Sequence, residues 1–265
     1  MDRKWTRTWN LCDLPAWYIG SLEFNERPQK FEIQAVFPAA SPLFAYLNTL
    51  AVPEERTKAF NDYIREAFHL DELDRDHTKN AKRSLKNTYV RYLRGWGVDS
   101  NSIEGAVLKA WVESRIGLVP TFHKGKVTSD DPDDQLEFAT DRMKGMAGSN
   151  AINSQLDLVY AFCQYELGRR FPGETWFTLY RGTHDPNEYQ TIETVSKRER
   201  IVRLNNLSSF TPDADRAYEF GSTVWETKVP LAKVFFFSQL FPQSILKGED
   251  EFLIIGGIYR VKTML

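Results

Sequence analysis

Gly248-Glu249-Asp250-Glu251-Phe252-Leu253-Ile254-Ile255 sets three adjacent carboxylates directly against an apolar, strand-like run. Like charges repel and burial disfavours an ionised carboxylate, so this arrangement is costly unless something cationic needs it. Alternate residues of a strand share a face, which puts Glu249 and Glu251 on one side and Asp250 on the other. Two carboxylates on one face at the entrance of a strand suit chemistry on a developing positive charge. The plainer alternative is an acidic turn that keeps an edge strand soluble.

Upstream of this stretch the second half of the chain reads as β structure. Trp176-Phe177-Thr178-Leu179-Tyr180 is aromatic and β-branched, and Ile201-Val202-Arg203-Leu204 is a further strand candidate. Asp213 to Phe220 reads as a short helix with Ala217 and Phe220 inward, stopped by Gly221. Thr223 to Val229, Lys233 to Phe237, Glu251 to Ile255 and Ile258 to Val261 complete the strands.

The first half has helical periodicity. Pro53-Glu54-Glu55 opens a helix that continues through Phe60, Ile64 and Phe68. A second places Ala81, Leu85, Tyr89, Tyr92, Leu93 and Trp96 on one stripe. A third starts at Asn101-Ser102-Ile103-Glu104 and carries Val107, Leu108, Trp111 and Ile116. Asp130-Asp131-Pro132-Asp133-Asp134 reads as an acidic loop, and a further helix runs from about Ile152 to Arg169 until Phe171-Pro172-Gly173 ends it. Helices first and strands afterwards predict an α+β fold: a helical N-terminal region over 1–148, then a mainly antiparallel β core over 149–265.

With 42% hydrophobic and 26% charged residues in 265, the chain is a globular protein with a real core rather than a disordered one. A net charge of −2 gives no global argument for nucleic acid or an anionic membrane. No apolar run approaches membrane-spanning length, and Met1-Asp2-Arg3-Lys4-Trp5 is not followed by an apolar stretch of the secretory kind. Two widely separated cysteines, Cys12 and Cys163, fit a reduced, cytoplasmic protein. The four histidines show no ligand spacing, so no metal is expected. Gly95-Trp96-Gly97 follows a helix rather than a strand and lacks a third glycine in register, so a Rossmann site is unsupported.

Two other segments can carry chemistry. Tyr180-Arg181-Gly182-Thr183 ends the first strand; Arg181 has the planar fork that grips phosphate and Gly182 admits a ligand to the backbone, or the pair is a surface arginine with a turn glycine. Asn205-Asn206-Leu207-Ser208-Ser209-Phe210-Thr211 closes the next, where hydroxyls either fix a neighbouring carboxylate or cap the helix near Asp213. Lys79, Lys82, Arg83, Lys86, Arg91 and Arg94 give the second helix a basic face, for an acidic partner, for phosphates or for solvent.

Arg181, then Ser208-Ser209, then Glu249-Asp250-Glu251, each at a strand end and in that order, resemble the R-S-E class of mono-ADP-ribosyltransferases. One departure is Ser208-Ser209-Phe210, where Ser-Thr-Ser is common. Asn10-Leu11-Cys12-Asp13-Leu14-Pro15, Phe24-Asn25-Glu26-Arg27-Pro28, Arg94-Gly95-Trp96-Gly97-Val98-Asp99-Ser100-Asn101 and Leu179 to Asp185 extend the resemblance, over essentially the whole chain, to dinitrogenase reductase ADP-ribosyltransferases. That resemblance implies transfer of ADP-ribose from NAD to an arginine of the nitrogenase iron protein, which switches nitrogen fixation off. It also implies a PII-type signalling protein as partner, and neither nucleic acid nor membrane.

The resemblance further implies roles. Glu251 stabilises the positive charge that develops on the ribose as nicotinamide leaves. Ser208 holds that carboxylate or touches the ribose, and Arg181 pairs with the phosphates. The Gly182 backbone bonds the nicotinamide carboxamide, with Thr183, Ser209, Phe210 and Phe220 completing the NAD site. Phe210, Tyr218 and Phe220 are alternatives for the residue that stacks on nicotinamide. Glu249 orients the acceptor guanidinium, which is protonated at any physiological pH, and takes its proton as the bond forms. The rival readings are an NAD glycohydrolase, a transferase with another protein target and a non-catalytic nitrogen-signalling module.

Overall fold

The computed structural model describes residues 3–70, 88–127, 132–147, 151–184, 189–241 and 250–264. Its helices in the first part are α1 Ala16–Ile19, α2 Leu22–Glu26, α3 Val36–Ala39, α4 Ser41–Thr49, α5 Pro53–Ala67, α6 Tyr89–Val98, α7 Ile103–Arg115, α8 Pro132–Met146 and α9 Ile152–Arg170, with a small hairpin of β1 Phe122–His123 and β2 Gly125–Lys126. The rest is β3 Trp176–Thr183, β4 Gln190–Thr194, β5 Glu199–Phe210, α10 Ala214–Ala217, β6 Thr223–Pro230, β7 Val234–Phe237 and β8 Phe252–Thr263. The expected α+β arrangement, helices before an antiparallel sheet, is the one observed.

Local chemistry accounts for most boundaries. Ser102 caps α7 by accepting the Gly105 N–H at 3.1 Å. Pro53 opens α5 with Glu54 and Glu55 in its first turn, at the positive end of the dipole. The acidic loop is corrected in part: Asp130 and Asp131 lie outside the described residues, and Pro132 to Asp134 are the start of α8, where proline loses no helical bond. The second helix is described from Tyr89 on. Residues 71–87, with Ala81, Leu85 and the basic positions Lys79, Lys82, Arg83 and Lys86, lie outside the described residues. Arg91, within the expected basic face, is ion-paired with Glu104 at 2.8 Å.

The sheet runs β3-β6-β8-β5-β4, with β7 also paired to the start of β8. Two strands read separately, Glu251–Ile255 and Ile258–Val261, are one strand, β8. Between Leu204 and Leu207 the pairing with β5 shifts register, so that Asn205 and Asn206 lie opposite Gly256. A Cβ on Gly256 would stand 1.7 Å from the Asn205 carbonyl oxygen, so only glycine lets the two backbones meet there. The bulge frees two amide side chains. Asn205 accepts from the Thr121 N–H at 2.9 Å and donates to the Phe122 carbonyl at 2.8 Å. Asn206 donates to the carbonyls of Lys109 and Leu118 at 2.8 and 2.9 Å. Helix α7 and the chain after it are thereby tied to the sheet.

One cluster of buried apolar side chains runs from Ile19 and Phe24 through Phe60, Trp111 and Phe162 to Phe235, Leu253 and Ile255, so helices and sheet share a core. Helix α9 docks on the β7 region through Gln164, which donates to the Val234 carbonyl at 2.8 Å, and Tyr160, which donates to the Ala232 carbonyl at 2.8 Å. Arg56 of α5 is buried and paired with the buried Glu166 of α9 at 2.5 Å, and Arg170 closes the cluster at 2.7 Å. Removing one member of such a buried pair costs about 3–5 kcal/mol, since the other charge is stranded. Cys12 and Cys163 are both buried and unbridged.

Because the β5–β8 contact leaves no room for a methyl group, Gly256→Ala is expected to lower unfolding free energy by about 1–3 kcal/mol through overpacking, read as a fall in the urea midpoint at constant slope.

Candidate active site

Three strand ends converge. The last pair between β5 and β8 is Phe210 with Phe252, so Glu251 emerges one residue beyond the ladder, next to the serine pair. Tyr180 of β3 exchanges two backbone hydrogen bonds, 2.7 and 2.9 Å, with Thr211 just past β5, which draws Arg181 to the same place. The order read in the sequence is therefore a cluster in space.

Glu251 is only 5% exposed. Its Oε1 accepts a short hydrogen bond from the Ser209 hydroxyl and a second from the indole N–H of Trp96 at 3.2 Å. The same indole N–H lies 2.9 Å from the Ser209 oxygen, so Trp96, Ser209 and Glu251 form a closed triangle. Of the two alternatives for Ser208, the hold on the carboxylate falls to the next residue, Ser209. Successive residues of a strand face opposite ways, so one position decides which serine reaches Glu251. Ser208 is buried and lines the neighbouring cleft. Glu249 lies outside the described residues.

Arg181 donates from Nη1 to the Ser209 carbonyl at 2.7 Å and from Nε and Nη2 to the Tyr189 hydroxyl at 3.0 and 2.9 Å. Its guanidinium also lies 5.9 Å from the Phe210 ring centre. These bonds fix the plane of the fork and leave one N–H on each terminal nitrogen for an anion.

Two clefts meet at this cluster, one of about 480 Å³ and one of about 250 Å³; Trp96, Ser100, Arg181 and Ser209 line both. Gly182, Phe210, Phe220, Arg216 and Glu251 belong to the smaller, and Ser208, Lys109, Phe122, Tyr189 and Arg203 to the larger. Phe220, expected inward, is 47% exposed, because the helical segment ends there and no further turn covers the ring; Tyr218 is 41% exposed. Phe210 is buried. Gly182 serves packing as well as access: a Cβ there would meet the Ala217 carbonyl oxygen at 2.0 Å. Thr183 is buried with its backbone against Gly221, and lines neither cleft.

Lys109 was not anticipated. It is 1% exposed on α7, where its ammonium donates to Asn101 Oδ1 and the Phe122 carbonyl, both at 3.0 Å, and stands 3.5 Å from His123 Nδ1. Burial pushes its pKa down to about 7, with Asp99 opposing and Arg181 assisting. The sequence signal was a single lysine inside the apolar run Val107-Leu108-Lys109-Ala110-Trp111. His123 continues the polar chain to Asp141 at 3.1 Å, and burial holds its pKa below the usual histidine value. Among the described residues no three His, Cys, Asp or Glu converge as a metal ion requires.

Residues 9–263 match the profile of the family described as dinitrogenase reductase ADP-ribosyltransferase. A protein of Rhodospirillum rubrum named NAD(+)--dinitrogen-reductase ADP-D-ribosyltransferase is 42% identical over 258 residues, covering 96% of this chain and 94% of the relative. No solved structure matches. Aligned over nearly their full lengths, with Arg181, the serine pair and Glu251 gathered at one point of the fold, the sequence evidence and the geometry agree: this chain belongs to the dinitrogenase reductase ADP-ribosyltransferase family.

Proposed function

We propose that this protein is an NAD-dependent mono-ADP-ribosyltransferase that transfers ADP-ribose to an arginine of dinitrogenase reductase and so switches nitrogen fixation off. The name of the Rhodospirillum rubrum relative supports donor and target. The observation that carries the chemistry is the buried Glu251, held by two donors on the lining of the smaller cleft, which Arg181 lines as well.

In this reading NAD is the donor substrate and needs no metal. The free N–H groups of Arg181 take the pyrophosphate, which sets the nicotinamide ribose toward Glu251. Glu251 stabilises the positive charge on the ribose carbon as its bond to nicotinamide breaks and the electron pair leaves with the ring. A carboxylate already held in place pays little reorganisation at that moment. Phe220, exposed at the rim of the smaller cleft, is the best placed of the three aromatic residues to stack on nicotinamide, with Gly182 and Phe210 as the wall behind. Glu249 is assigned to the acceptor: it orients the incoming guanidinium and takes the proton lost as the new C–N bond forms.

The helical region over 1–148 is assigned to recognition of the target and of a PII-type regulator, and 149–265 to catalysis, although Trp96 and Lys109 of the first part complete the clefts. A cytoplasmic location belongs to the same reading. Among the described residues no helix is long and apolar enough to cross a membrane.

Incubation with NAD and dinitrogenase reductase is expected to give a single ADP-ribose adduct on an arginine, read by mass spectrometry. Free ADP-ribose without adduct would instead indicate a glycohydrolase, and intact NAD would overturn the enzymatic reading. Glu251→Gln is expected to lower transfer and NAD hydrolysis together by about 10²–10³-fold or more. Glu249→Gln should abolish arginine transfer and leave hydrolysis; equal losses in the two variants would refute the division of labour.

Lys109 adds a pH signature. Below pH 7 its ammonium is charged and attracts an anionic ligand in the larger cleft; above, it is neutral, so NAD affinity should fall as pH rises from about 6 to 8. The charged and titratable groups around it are Asp99, Arg181 and His123, the last with its pKa lowered by burial. Lys109→Met should weaken NAD binding at pH 6 and flatten the profile, measured by calorimetry across that range.

A further inference from the structure

Trp96 sits on the helical part of the chain and 155 residues from the carboxylate that its indole N–H meets. We propose that Trp96 is a positioning residue for the transfer reaction, its N–H holding the Glu251 carboxylate in its place on the lining of the smaller cleft. The inference rests on the catalytic role assigned to Glu251 above.

A buried indole N–H usually finds an acceptor, and the acceptor is normally structural, although those of Trp5 and Trp225 are buried with none. Trp111 donates to Asp157 at 2.7 Å and Trp176 to the carbonyl of Asn25 at 2.7 Å, both away from the clefts. Trp96 differs, because its acceptors are Ser209 and Glu251 and its ring lines both clefts. The ring is 3% exposed, so water does not compete for the N–H. Helix α6 is itself anchored at three points. Tyr92 donates to the Gly145 carbonyl at 2.7 Å, the Tyr89 N–H donates to Gln155 at 3.0 Å, and Arg91 pairs with Glu104.

The energetic argument is one of rotamer selection. A glutamate has three side-chain torsions, and the Ser209 hydroxyl, which rotates about its C–O bond, defines the position of Oε1 less sharply than a rigid donor does. The indole N–H is rigid with its ring. By donating to both the hydroxyl and the carboxylate it fixes the hydroxyl proton on Glu251 and pins the carboxylate to one position. Preorganisation of this kind shows in kcat rather than in ground-state binding.

The test uses the full chain with Trp96→Phe, which keeps an aromatic ring and removes the donor. NAD hydrolysis, which needs no protein acceptor, is followed alongside transfer. The expected result is a fall in kcat of about tenfold or more in both reactions, with KM for NAD within about twofold of the parent and little change in melting temperature. Ser209→Ala should give a comparable fall. The double variant should lose less than the product of the two, because both donors act on one oxygen. If Trp96→Phe does not fold, replacing tryptophan by benzothienylalanine, which keeps the bicyclic shape without the N–H, supplies the same kcat and KM comparison. Unchanged kcat, or a rise in KM alone, overturns the proposal. Glu251→Gln separates the two failures. An inactive Glu251→Gln beside a fully active Trp96→Phe removes only the role of Trp96, whereas an active Glu251→Gln removes the assignment of Glu251 and this inference with it.

Discussion

Backbone contact between β5 and β8 is the constraint on which the rest is built. At Gly256 the strands approach so closely that β5 must bulge, and the bulge turns Asn205 and Asn206 toward the helical part of the chain. Those two amides bind four backbone groups between Lys109 and Phe122. Backbone amides and carbonyls taken out of water need partners, so these bonds act as a register pin as well as an attraction. With α7 fixed, α6 is fixed against it, and Trp96 arrives beside Glu251. The same two strands deliver Ser209 and Glu251, so both halves of the triangle depend on one irregularity in the ladder.

The electrostatics of the cleft are local. A net charge of −2 says nothing of a groove whose lining includes Arg181, Lys109, Arg203 and Lys126. Of these only Lys109 is fully buried, where low-dielectric surroundings make its pKa sensitive to its neighbours. It is satisfied by neutral oxygens rather than by a carboxylate, so its charge is held weakly and is adjustable near neutrality. Ion pairs elsewhere, such as the part-buried Arg115 with Asp157 at 2.8 Å and the buried Arg56 with Glu166, have full partners and serve to fix helix register.

How far the site could be read beforehand varied with the kind of signal. Helices α5 and α7 have apolar spacing with a proline or serine start, α9 has a long apolar run with a recognisable end, and all three stand where the sequence puts them. Strand β4 had no such signal: all five of its residues are exposed, so no alternation of apolar and polar side chains marks it. Phe220 was misjudged because helical spacing assumes another turn beyond it, and the chain turns away at Gly221. The exchange of Ser209 for Ser208 is a matter of strand phase, which two adjacent serines cannot reveal.

The order of Arg181, the serine pair and Glu251, each beside an apolar strand, was written in the chain, because the chemistry of a charged residue at a strand end is a local property. Family membership and the α+β layout were legible for the same reason: both rest on short-range patterns that survive without coordinates. The partnership of Trp96 with Glu251, and the burial of Lys109 beside Arg181, depended on folding. Periodicity shows that a face is buried but not what it is buried against, and a hydrogen bond spanning 155 residues exists only once a bulged strand has set the distance between two parts of the chain.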